Sequence, residues 1–170
     1  MGHVSRRSVV IGGISLLCAP STWASSERIE LNWADLIPRG ARGTTYESLR
    51  SAFGIIQHGQ LSTGFFQNRD ASVTTEYNGK LVRIPGYMVP LDFAGTGVTD
   101  LLLVPYVGAC IHVPPPPPNQ IVLVKVAAPF EVTGYFEPIY VTGTIQTMAV
   151  ATELAEIGYT ITDARVEPYD

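Results

Sequence analysis

The sequence predicts a mainly β fold: a small five-stranded barrel, closed or partly open and resembling an OB-fold, with an N-terminal helical extension. Three observations carry this. Valine, isoleucine, threonine and tyrosine recur in short runs from residue 79 onward, the residue types that suit a pleated, half-buried surface. Sixteen glycines and thirteen prolines punctuate those runs while charged residues reach only 15%, a balance that favours strands and tight turns over long amphipathic helices. Two of the runs also carry an internal glycine, Gly86 and Gly134, where a strand could bend as barrel closure requires. A β-sandwich is the alternative.

Residues 1–24, MGHVSRRSVVIGGISLLCAPSTWA, form a signal peptide of the twin-arginine type. Arg6 and Arg7 precede a mildly apolar core broken by Gly12 and Gly13, and Thr22 and Ala24 are small residues at the cleavage positions. The apolar run falls short of the roughly 20 residues a bilayer span needs, so no transmembrane anchor is expected in the mature form. Leu17 stands where a lipoprotein signal has a small residue, so Cys18 is expected to leave with the signal. The mature chain of about 146 residues suits one periplasmic domain, and loss of the two arginines takes its formal charge from −4 to about −6. With two lysines and no basic cluster it is a poor ligand for nucleic acid, whose affinity comes largely from phosphate neutralisation.

Residues 25–78 read as the N-terminal extension. A compact segment over 29–37 has Trp33 and Leu36 as anchors and is ended by Pro38 and Gly40. A helix is predicted over 46–57, capped by Thr44 or Thr45, with Leu49, Phe53 and Ile56 on one face and Gly59 past its end. Residues 58–72 read as a loop.

Residues 79–170 read as the β-barrel domain. KLVRIPGYMVPL, 80–91, is a strand interrupted at Pro85-Gly86; residues 100–107 and 120–126 are two nearly all-apolar strands. FEVTGYFEPI, 130–139, repeats the strand–glycine–strand form around Gly134. Residues 148–157 fit a short helix or a strand, and YTITDARV, 159–166, alternates as a half-exposed strand does. Both glycines are expected at bends or bulges that let the strands curve, where alanine should cost more than the usual ~1 kcal/mol if φ is positive.

The chemistry concentrates in GACIHVPPPPPNQ, residues 108–120. Loss of Cys18 would leave Cys110 as the single thiol, so no internal disulfide is expected. In extended chain Cys110 and His112 project to one side, their Cα atoms roughly 6.6 Å apart, so one ion could sit between them. Thiolate and imidazole suit zinc first and copper(I) second. Zinc needs further ligands, for which Asp92, His58, Glu137 or a partner protein are the candidates. The plain alternatives are a buried inert thiol, a solvated histidine at a helix end for His58, and a turn residue for Asp92. Met88 and Met148 are more at home as core than as copper ligands, and Tyr87, Tyr106, Tyr135 and Tyr140 form either packing or a ligand-stacking face. Pro114, Pro115, Pro116, Pro117 and Pro118 make a stiff polyproline II rod, followed by the amides of Asn119 and Gln120, a candidate partner-docking segment. No catalytic set stands out: there is no Ser/His/Asp arrangement, paired carboxylates or phosphate-binding glycine loop.

LVRIPGYMVPLDF, LLLVPYVGACIHVPPPPPNQIVLV, VTGYFEPI and the terminal DARVEPY resemble the bacterial domain-of-unknown-function family 3299, over roughly residues 79–170, with LNWADLIP as a further short match. The resemblance implies a small exported protein without an assigned catalytic residue, acting near metal handling, particularly zinc, and beside ABC transporter components. Three functions remain in view. The first is a periplasmic, zinc-binding accessory of a transport or envelope system. The second is a protein-interaction module docking through the proline rod, and the third a cysteine-dependent enzyme. The signal is checked directly: replacing Arg6 and Arg7 with lysine should hold the precursor in the cytoplasm, and N-terminal sequencing of the exported species should begin near Ser25.

Overall fold

The computed structural model describes residues 27–41, 43, 67, 71–107, 115–132, 134, 136–151 and 155–169. Six strands make one sheet: β1 (Ile29–Glu30), β2 (Leu81–Ala94), β3 (Gly97–Val104), β4 (Val122–Glu131), β5 (Pro138–Ala151) and β6 (Glu156–Pro168). Their order is β1-β2-β3-β4-β6-β5, and β5 returns to β2, so β2 to β6 close a five-stranded barrel with β1 as an extra strand. Four of the five barrel seams are antiparallel; β4–β6 is parallel. This is the mainly β, OB-like barrel that the sequence predicts.

β2 closes the barrel because it serves a different neighbour along each half. Residues 81–87 pair with β5, and residues 87–94 pair with β3 on the opposite edge. The stretch that β3 does not reach is taken by β1, which lies parallel to Val82 and Arg83, continued by a bond from the Leu31 amide to the Arg83 carbonyl. Alternation along β2 sends Val82, Ile84 and Met88 into the barrel, where they meet Leu101, Leu103, Val124, Val141 and Ile161. β3 and β4 bury both faces. Leu102, Val104 and Leu123 pack outside the barrel with Val89, Ile121 and Ile157, which explains why these strands read as continuous apolar runs.

Curvature comes from irregularities in pairing. In β6, Asp163 takes a left-handed backbone (φ 51°) and two residues, 163 and 164, face the single Gly143 of β5. A Cβ on Gly143 would stand 2.5 Å from Ile161 Cγ2, so only glycine fits opposite that bulge. In β4 the residues between Lys125 and Phe130, including Pro129, loop out of register against β3, as a proline inside a strand requires.

The extension belongs to the barrel. Leu31 and Leu36 are buried in the main core, and residues Trp33–Leu36 form a 3-10 turn in which the Asp35 carboxylate accepts from the Asn32 amide at 2.9 Å. The helix predicted over 46–57 lies outside the described residues. Among the described residues no helix is long and apolar enough to cross a membrane.

The structure decides three local expectations. Residues 130–139 do not make one bent strand: β4 ends at Glu131 and β5 starts at Pro138, with Gly134 in the connection. Of the helix and the strand weighed for residues 148–157, the strand holds where residues are described: 148–151 end β5 and 156–157 begin β6. Neither Gly86 nor Gly134 has positive φ. Gly86 is needed for close approach instead, since a Cβ there would lie 2.8 Å from Leu103 Cγ and 2.9 Å from the Val104 carbonyl oxygen. At Gly134 the nearest atom would be 3.9 Å away. Gly86→Ala should therefore cost about 1–3 kcal/mol by overpacking, while Gly134→Ala should stay within about 0.5 kcal/mol; urea midpoints of the two variants decide this.

Candidate functional site

The connector between β3 and β4, residues 105–121, is the one the sequence marks for chemistry. It leaves the barrel after Val104, which is fully buried, and reaches solvent by Val107, 59% exposed. Cys110, His112 and Pro114 lie outside the described residues, as does His58. The returning limb is described from Pro115, which is half-buried, and Pro116, Pro117, Pro118, Asn119 and Gln120 are all buried.

A buried proline run brings carbonyl oxygens inside but no N–H groups, so only acceptors need partners. Each is supplied. The Gln67 side-chain amide donates to the Pro116 carbonyl at 2.8 Å. The amides of Gln120 and Ile121 donate to the carbonyls of Pro117 and Pro118, at 2.8 and 3.3 Å, in a 3-10 turn. The two amide side chains then reach into the extension: Asn119 Nδ2 donates to the Ser72 carbonyl at 2.9 Å and Gln120 Nε2 to the Trp33 carbonyl at 3.0 Å. Gln67 also donates to the Glu156 carbonyl and accepts from its amide, both at 2.7 Å, which ties the proline turn to the start of β6. Gly158 makes room, since a Cβ there would meet the Pro118 carbonyl oxygen at 2.7 Å. Pro116 to Gln120 are thus spent inside the molecule, where they anchor the returning limb of the connector.

Asp92 lies in the hairpin of β2 and β3. It is an exposed residue of β2 opposite Asp100, between two register shifts, and its carboxylate accepts from the Phe93 amide at 2.8 Å. Asp100 itself pairs with Lys125 at 3.2 Å. Four residues of β3, roughly 13 Å of strand, separate that position from Val104, where the connector departs. Met88 is fully buried in the barrel and Met148 is exposed; the Glu137 carbonyl accepts from the Met88 amide at 3.1 Å. Among the described residues no three His, Cys, Asp or Glu side chains gather as a metal group.

Two features have little sequence signal. The first is a groove of about 370 Å³ walled by Trp33, Tyr87 and Tyr169 with Pro85, Pro105 and Pro138. Trp33 is held there by its indole N–H, which donates to the Pro85 carbonyl at 2.8 Å. Tyr169 stacks on Tyr140 at 4.7 Å between centroids, and the Arg83 guanidinium lies 3.5 Å over the Tyr140 ring. Of the four tyrosines, Tyr87 lines the groove and packs, like Tyr106, against the outer core cluster, Tyr140 lies under Tyr169, and Tyr135 lies outside the described residues. The second feature is Tyr159, buried at 1% exposure, whose hydroxyl donates to the Leu36 carbonyl at 2.6 Å and accepts from the Thr74 amide at 2.7 Å. It fixes the two extension segments to which Gln120 and Asn119 bond.

The profile of a family described as a protein of unknown function, DUF3299, matches residues 33–168. The crystal structure of a DUF3299 family protein from Pseudomonas aeruginosa is similar to the chain at 35% identity and a TM-score of 0.67, covering 84% of this chain and 97% of that one. Among curated proteins none matches.

Burial pushes the Tyr159 hydroxyl from 10 up to about 12. The folded state therefore favours the protonated phenol, and that stabilisation is complete below pH 10 and lost as pH rises through about 12. The urea midpoint should fall across this window, and Tyr159→Phe, already destabilised by the lost hydrogen bonds, should show a flatter fall.

Proposed function

The chain belongs to the DUF3299 family, and from that membership and the build of its connector we propose that it is a periplasmic metal-binding accessory protein. Zinc is the preferred ion, copper(I) the second, and Cys110 and His112 are the ligands. The observation that carries this reading is the clamped proline turn. Burial of residues 116–120 and the hydrogen bonds of Asn119 and Gln120 to Ser72 and Trp33 hold the returning limb of the connector firmly, which gives the segment that carries the thiol and the imidazole one fixed end. A fixed end lowers the ordering cost of bringing two ligands to one ion.

Zinc commonly takes three protein ligands and water, or four. Asp92 stands in the hairpin beside Asp100, so His58, Glu137, water or a partner protein are the better sources for the remaining positions. Incomplete coordination suits an ion held reversibly and passed on, in keeping with a transport system such as an ABC transporter component as the partner. Export through the twin-arginine signal would bring the chain to that compartment. The proline rod is less suited to docking a partner, because Pro116, Pro117 and Pro118 are buried in the protein's own fold.

Equilibrium competition with a chromophoric zinc chelator tests the reading. The wild-type chain should bind about one zinc ion and release it as the thiolate is protonated at low pH. Cys110→Ser and His112→Ala should each weaken binding by at least about tenfold, as loss of a ligand costing 1.4 kcal/mol or more implies; undiminished affinity in both variants sinks the proposal.

A further inference from the structure

Of the chain's four asparagines, Asn32, Asn68, Asn78 and Asn119, only Asn78 precedes a glycine. An asparagine so placed is labile in water. The next backbone nitrogen, once it loses its proton, attacks the side-chain Cγ and ammonia leaves; water then opens the succinimide to aspartate or isoaspartate. Glycine favours the attack because it has no Cβ to hinder it. We infer that Asn78 is a self-modification site that the fold holds closed, and that its conversion to isoaspartate records opening of the extension from the barrel.

The turn carries the first half of this inference. The Lys80 amide donates to the Tyr77 carbonyl at 3.0 Å, so Asn78 and Gly79 are the central residues of a four-residue turn. Gly79 has φ 74°, the left-handed value that the third place of a type II turn requires. Both reacting groups are held by β5. The Gly79 amide, the nucleophile, donates to the Ile145 carbonyl at 2.8 Å, where loss of its proton would set an anion against a carbonyl oxygen. The Asn78 carboxamide oxygen accepts from the Thr147 amide at 2.9 Å, which holds the electrophile on the same strand. Ring closure requires the Gly79 nitrogen to swing from Ile145 onto Cγ. Asn78 is exposed, so water reaches it, and the protection comes from these two bonds rather than from burial. The reaction therefore proceeds from the locally opened state, at a rate that follows the population of that state.

The second half follows from what the turn holds together. The Thr147 hydroxyl donates to the Thr74 carbonyl at 2.8 Å, and the Ile145 amide to the Lys80 carbonyl at 3.1 Å. The Thr74 amide donates to the Tyr159 hydroxyl, and the Ser72 carbonyl accepts from Asn119. Isoaspartate adds a methylene to the backbone between residues 78 and 79, so the bonds to Ile145 and Thr147 lose their common register. Aspartate leaves the backbone unchanged and keeps an acceptor oxygen toward Thr147. Conversion is irreversible, so an opening that is long enough weakens the seam that had kept the site closed.

Trypsin releases the site within residues 70–80, where mass reports loss of the amide and chromatography separates the two isomers. The full-length chain is aged at mildly alkaline pH with and without guanidinium chloride. In denaturant Asn78 should convert faster than Asn32, Asn68 and Asn119. Without it, conversion should be slower by about tenfold or more, the factor for an opening free energy of about 1.4 kcal/mol. Refolded chain carrying isoaspartate at 78 should melt below Asn78→Asp, which should melt close to wild type. Equal rates with and without denaturant, or an Asn78 no faster than the other three when unfolded, would overturn the site. An isoaspartate form that melts with wild type, or an Asn78→Asp variant that melts as low as that form, would overturn the consequence.

Discussion

Everything in this barrel depends on one strand making two sets of hydrogen bonds. β2 is fourteen residues long, and at Tyr87 it passes from β5 on one edge to β3 on the other. A strand that did not change partners would leave an open sheet with two long unpaired edges. The crossing brings the backbone of Gly86 against Leu103 and Val104 so closely that no side chain fits. That contact explains why glycine stands in the middle of a strand, where it otherwise weakens the structure. It also locates the groove, because the outward residues at the crossing, Pro85 and Tyr87, are two of its walls.

The proline block is understood in the same terms. Long connectors usually run over the surface because their backbone donors and acceptors need water. Here three prolines remove donors from the buried limb, and the Gln67 side chain and two backbone amides satisfy the acceptors that remain. The chain thereby returns through the interior without an orphaned prolyl carbonyl at residues 116–118. Stiffness, the property that first suggests docking, serves internal anchoring at these residues.

How much of this was legible in the sequence follows from the range of each interaction. The strands were readable because alternation and apolar runs are local, and so were Trp33 and Leu36 as anchors of the first segment. Gly86 was readable as a special position inside a strand, but the close approach that requires it depends on Leu103, seventeen residues on in the sequence. Gly134 looked equivalent and is an ordinary loop residue. Cys110 and His112 are a weak pattern by spacing alone and lie outside the described residues, while the placing of Asp92 beside Asp100 follows from a hairpin register with two shifts. Gln67 and Tyr159 gave no signal at all, since their partners lie 49 to 123 residues away. The groove is the extreme case, assembled from residues 33, 85, 87, 105, 138 and 169.

That dispersion has a physical consequence for the domain as a whole. Trp33 comes from the extension and Tyr169 from just past β6, so the groove has walls only when both ends of the chain are docked on the barrel. Their docking is shared. Glu30 of β1 and Glu167 of β6 both approach Arg83 of β2, and Arg28 and Arg165 extend this to a row of alternating charges across the seam. Exposed pairs of this kind each contribute little, about 0–1 kcal/mol, so charge alone does not hold the ends. The apolar and stacking contacts do most of it: Leu31 and Leu36 enter the main core, and Tyr169 lies on Tyr140 with Arg83 behind. The ion row then sets the register of two chain ends that packing has already brought together. The same extension accepts the hydrogen bonds of Asn119 and Gln120, so the turn that fixes the connector and the wall that completes the groove rest on one support.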